Sequence, residues 1–84
     1  MHELGLTQDL VDLVVERTAG RQVVAINLRV GSESGVVADS MAFAFDVVTA
    51  GTPLEDARLM IEEVAGGDDL ALVSVELVRE PTCA

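Results

Sequence analysis

The sequence predicts an α+β fold: a small three-stranded β-sheet with two α-helices on one face, in the order α-β-α-β-β. Three observations carry that prediction. Apolar residues recur at helical spacing between residues 4 and 19 and again from residue 41 to 48. Through residues 22–30, Val24, Ile26, Leu28 and Val30 alternate with Val23, Ala25, Asn27 and Arg29, the pattern of a strand with one covered face. Two further alternating segments are separated only by a short Gly-Asp stretch, which reads as an antiparallel hairpin link. At 84 residues the chain, 1–84, is one small domain.

In LGLTQDLVDLVVERTA, residues 4–19, Leu6, Leu10, Leu13, Val14 and Arg17 share one side, and Asp9, Asp12 and Glu16 take the other. Acids crowd the start and Arg17 sits in the last turn, as the helix dipole favours. Gly20 stands where a left-handed cap is usual. The first strand places Val24, Ile26, Leu28 and Val30 on its covered face. Gly31-Ser32-Glu33-Ser34-Gly35 then breaks the pattern. Asp39 or Ser40 is the expected cap of a second helix, whose buried side carries Met41, Ala44, Phe45 and Val48, and Gly51 followed by Pro53 ends it. Ala57, Leu59 and Ile61 alternate with Arg58, Met60 and Glu62 in a second strand. After Ala65-Gly66-Gly67-Asp68-Asp69 a third runs from Leu70 to Val78 with Val73, Val75 and Leu77 on one face, and Pro81 stops it.

Composition narrows the function. Fifteen acidic residues against five basic ones, all arginine, give a formal charge of -10. Such a polyanion is repelled by phosphate backbones, and Phe43 and Phe45 are the only aromatics, so a nucleic-acid partner is not expected. The core must be aliphatic. No uncharged stretch approaches the roughly 18–20 residues of a bilayer span, and Met1-His2-Glu3 is not the start of a secretory signal, so a cytoplasmic location and no membrane partner are expected. Cys83 is alone, which leaves no disulfide or thiolate cage. Ser34, Ser40 and Ser74 have no second histidine and no lysine to activate them, and Gly31 and Gly35 lack the spacing of a phosphate loop. The chain is not expected to be an enzyme. The pairs Glu55-Asp56, Glu62-Glu63 and Asp68-Asp69 read as solvated surface.

The one chemically distinctive place is the N-terminus. The α-amine of Met1, the amide nitrogen between residues 1 and 2, and Nδ1 of His2 can close fused chelate rings on one cation. Retention of Met1 is expected because its removal favours a small second residue. Ni(II), a d⁸ ion, favours such a square-planar nitrogen set. The next amide, the Glu3 carboxylate or another chain could complete it. The plainer roles are a solvated His2 at a frayed end and a Glu3 that serves the helix dipole.

Met1-His2-Glu3-Leu4 with the following helix, Val30 to Val36, and FAFDVVTAGTPLEDARLMIEEV from Phe43 to Val64 together cover most of the chain. These three segments resemble the HypA nickel metallochaperones of hydrogenase and urease maturation. The resemblance implies nickel held at the extreme N-terminus, with His2 the essential ligand and Glu3 needed beside it. It implies a HypB-type GTPase and the NiFe-hydrogenase large subunit as partners. HypA proteins also carry a zinc ribbon on two Cys-x-x-Cys pairs before the last strand. Here Val64 leads straight through Gly66-Gly67 to Leu70, so no zinc is expected, whether the ribbon was lost naturally or excised. Alternative readings are a metal-free docking module for the same GTPase or hydrogenase subunit, and self-association by exchange of the third strand or the first helix.

Overall fold

The computed structural model describes residues 3–78 of the chain, and Met1, His2, Pro81 and Cys83 lie outside them. Five elements follow in order: α1 (Glu3–Thr18), β1 (Val23–Gly31), α2 (Ala38–Thr49), β2 (Arg58–Val64) and β3 (Leu70–Leu77). The α+β class, the element order and the helical layer on one sheet face are as the sequence predicts. Leu10, Val11 and Val14 of α1, Val23, Ile26 and Leu28 of β1, Met41 and Phe45 of α2, and Leu54 form one aliphatic core around a single ring.

The strand order is not a simple hairpin. β1 lies in the middle, parallel to β2 and antiparallel to β3, so β2 and β3 do not pair with each other. Burial explains this. Ile26, Leu28 and Val30 are at most 2% exposed, whereas no residue of β2 or β3 is fully buried. A β2–β3 hairpin would have left the most apolar strand at an edge. With β1 central, strands rich in Glu62, Glu63 and Glu76 take the half-wet positions, and α2 becomes the crossover that a parallel pair requires.

The Ala65–Asp69 link therefore has to pass over the end of β1. Val64 and Leu70 pair with Gly31 and Val30, so their strands stand about 10 Å apart, two strand spacings. The link is fastened there. Gly31 N–H donates to Asp69 C=O at 2.8 Å, Glu33 N–H to Gly67 C=O at 2.7 Å, Ser32 N–H to Val64 C=O at 2.8 Å, and Gly66 N–H to Ser32 Oγ at 2.9 Å. A Cβ on Gly31 would stand 2.2 Å from Gly67 O, so only glycine permits the crossing.

Two bulges reset the side-chain alternation. Between the Val23–Leu77 and Ala25–Glu76 pairs β1 carries an extra residue; between Asn27–Ser74 and Leu28–Leu72 β3 does. Val24, expected on the covered face, is consequently 41% exposed while Val23 is buried, and Val73 is turned outward as well.

The face of α1 is rotated from expectation. Thr7, Leu10, Val11, Val14 and Thr18 are buried, while Leu13 and Arg17 are exposed. Polar threonines can occupy the inner face because each hydroxyl is satisfied locally. Thr7 Oγ1 donates to Glu3 C=O, Thr18 Oγ1 to Val14 C=O at 2.8 Å and, in α2, Thr49 Oγ1 to Phe45 C=O at 2.7 Å. Gly20 is left-handed at the end of α1 as expected, φ 75°, and Ala19 before it is left-handed too, φ 53°. The bonds Gly20 N–H to Val15 C=O and Ala19 N–H to Glu16 C=O complete a Schellman cap. In α2 the inner residues Met41, Ala44 and Phe45 are as expected, with Val48 half-buried. Its N-cap is Val37, without a side-chain cap, rather than Asp39 or Ser40, both of which fall inside the first turn.

Candidate metal centre

Of the three residues expected to bind nickel, Glu3 is the one within the described chain, and it opens α1. Its surroundings follow from how the helices pack. Glu3 and Leu4 lie beside Ser40, Phe43, Ala44 and Val47, while Val11 and Val15 lie beside Gly51, Thr52 and Pro53. The helices thus run in the same direction, and their N-termini share one end of the molecule. Glu3 Oε2 accepts a hydrogen bond from Val37 N–H at 3.3 Å across 34 residues of sequence. The acidic side chain meets the positive end of α2, where an anion is favoured.

Next to this junction the surface is apolar. Leu4 is 52% exposed, Val37 55%, Val47 53% and Phe43 72%. One of the two aromatic rings of the chain is the centre of the core, and the other is on the surface beside Glu3. Sequence reasoning places Phe45 inward and assigns nothing to Phe43, although the two-residue offset already turns it to the opposite side of the helix. The Glu3–Val37 contact has no local signal in the sequence at all.

The remaining acidic candidates stay apart. Glu55, Asp56, Glu62, Glu63, Asp68 and Asp69 are exposed, as expected of solvated surface. Glu62 lies 3.4 Å from Arg29 on the open face of the sheet, an exposed pair of little energetic weight. Nearby, Asn27 Nδ2 donates to Ser74 Oγ and Glu76 Oε2. Among the described residues no three His, Cys, Asp or Glu side chains converge on a point that would hold a metal ion. Nor is any helix among them long and apolar enough to cross a membrane.

Comparison with known proteins decides the family. The model described as "Hydrogenase/urease nickel incorporation, metallochaperone, hypA" matches residues 1–68. The chain belongs to the HypA family. It is 46% identical over 66 residues to the hydrogenase maturation factor HypA of Geobacter metallireducens, an alignment covering 79% of this chain and 60% of that protein. A Roseiflexus HypA is 49% identical, with 76% of this chain and 54% of that one aligned. The chain thus spans about 60% of the length of the curated relatives it matches. The solution structure of the Ni metallochaperone HypA from Helicobacter pylori shares the fold, with a TM-score of 0.79 over 95% of this chain and all of that one at 15% identity. These relatives are named as maturation factors and metallochaperones rather than enzymes.

Proposed function

We propose that this HypA-family chain is a single nickel-binding domain that takes Ni(II) at its N-terminus and delivers it for NiFe-hydrogenase maturation. The observation that carries the reading is the family match through residues 1–68, which includes Met1-His2-Glu3. The fixed place of Glu3 against α2 supports it. The Met1 amine, the following amide and His2 Nδ1 supply nitrogens of the kind a square-planar d⁸ ion prefers, and Glu3 is the next residue in sequence. Nickel is cargo, so the site has to hold it only moderately and give it up to a partner. A HypB-type GTPase and the hydrogenase large subunit are the proposed partners, in the cytoplasm, without catalysis by the domain itself and without zinc.

Nickel titration by isothermal calorimetry tests the assignment. Intact protein is expected to bind one Ni(II), and both His2→Ala and acetylation of the α-amine are expected to abolish or greatly weaken binding. Equal affinity in all three forms would sink it. The exposed Leu4–Phe43–Val47 patch favours a second reading, a docking module that binds those partners without metal. Partner capture that survives His2→Ala, with no nickel in the purified protein, supports that reading instead. Self-association through exchange of β3 or α1 predicts a dimer by light scattering.

A further inference from the structure

The third residue has a task that its position as a prospective ligand conceals. Val37 caps α2 with no side-chain hydrogen bond from its own segment, because the local sequence offers Val36-Val37-Ala38 where Ser, Thr, Asp or Asn is usual. Asp39 adds charge in the first turn, but the side-chain acceptor on Val37 N–H comes from α1, as Glu3 Oε2. The backbone of Glu3 is tied as well, since its carbonyl accepts the Thr7 hydroxyl, and Thr7 is completely buried. Both ends of this one residue are thus fixed, its main chain to the first turn of α1 and its carboxylate to α2.

We propose that Glu3 is a positioning residue for the metal: its carboxylate, held by Val37 N–H, anchors the start of α1 on the N-terminal end of α2. Glu3, which opens α1 and follows Met1-His2 in sequence, is then a fixed point rather than a fraying helix end. This rests on the nickel reading above and deepens it, because it takes the Glu3 side chain out of the coordination sphere and makes Val37 part of the site. A first turn ordered before binding lowers the entropy that nickel capture has to overcome.

The test combines a metal-free measurement with nickel titration. In ¹⁵N–¹H spectra of the nickel-free chain, Glu3→Ala is expected to displace the Val37 amide signal, and Glu3→Gln, which keeps an acceptor oxygen at the same reach, to leave it nearly in place. With Ni(II), Glu3→Ala is expected to weaken binding about tenfold, the worth of one hydrogen bond to a charged group. Glu3→Gln is expected to stay within about threefold, since only the helix-dipole attraction is reduced. It should also keep the wild-type d–d absorption spectrum. Val37→Pro, which removes the donor, is expected to match Glu3→Ala, and the double variant to lose no more than either alone. Melting curves confirm that each variant folds.

The opposite pattern overturns the proposal. It would consist of Glu3→Gln as weak as Glu3→Ala with an altered spectrum, and Val37→Pro unchanged or tighter, as expected if the carboxylate ligates nickel. A Val37 amide indifferent to Glu3→Ala also overturns it. If the wild-type chain binds no nickel while that amide does move, the nickel reading fails and the anchor stands.

Discussion

The crossing of the Ala65–Asp69 link over β1 makes Gly31 the most sharply testable position in the fold. In Gly31→Ala the new Cβ would lie 2.2 Å from Gly67 O, 2.3 Å from Gly67 C and 2.9 Å from Asp68 N. All three are backbone atoms, so no side chain can swing away, and the link has to lift by about 1.2 Å to reach ordinary contact at 3.4 Å. That movement stretches the Glu33–Gly67 and Gly31–Asp69 hydrogen bonds, now 2.7 and 2.8 Å. Two such bonds are worth about 1–3 kcal/mol together, and overpacking adds about 1–3 kcal/mol. The stiffer unfolded chain returns roughly 0.4–1 kcal/mol. The net loss is about 1–6 kcal/mol from a total of roughly 4–13 kcal/mol for a chain of this length. Thermal unfolding followed by far-UV circular dichroism should show a fall in Tm of at least about 4 °C. Gly67→Ala is the internal control. Its Cβ would meet only Gly31 Cα, at 3.6 Å, an ordinary contact, and a change below about 1 kcal/mol is expected. A Gly31→Ala protein that melts within about 2 °C of wild type would refute the crossing as described.

Two further outcomes follow from the same geometry and chemistry. Phe45→Ala, which empties the centre of the core, should cost about 3–5 kcal/mol in urea unfolding, whereas Phe43→Ala, 72% exposed, should change stability by less than about 0.5 kcal/mol. Comparable losses in the two variants would mean that the face of α2 is misassigned. Nickel affinity should fall as pH drops through the ordinary histidine range near 6.5, because protons compete for imidazole and amine. The apparent Kd should then rise by about tenfold or more per pH unit below that value. Calorimetric titrations between pH 8 and 5.5 read this directly, and a pH-independent Kd would remove His2 and the α-amine from the site.

Much of the domain is legible locally, and its errors share one cause. The inner face of α2 was readable at Met41, Ala44 and Phe45, its large or close-packed positions, but not at Thr49, which is buried in the last turn while Val48 is only half-buried. The inner face of α1 was misread because the sequence offers leucines at 6, 10 and 13. A threonine looks polar until its hydroxyl is seen to bond back to the preceding turn, which lets Thr7 and Thr18 go inside and turns Leu13 out. The strand faces failed only where a bulge intervened, at Val24 and Val73, since alternation carries no mark of an inserted residue. For the candidate site, the family wording at Met1-His2-Glu3 was legible, but its support on α2 was not.

The sequence by itself determined the five elements and their order, the aliphatic character of the core, the family and the residues at which metal binding is proposed. All of these depend on residue type and on spacing within a few positions. Tertiary structure decided that β1 stands between β2 and β3, that Gly31 lies under Gly67, and that Glu3 reaches Val37. Each joins residues more than thirty positions apart. A local period says which face of an element is apolar but not what that face will meet. The partner is chosen by the burial of the chain as a whole, which here puts its most apolar strand in the centre of the sheet.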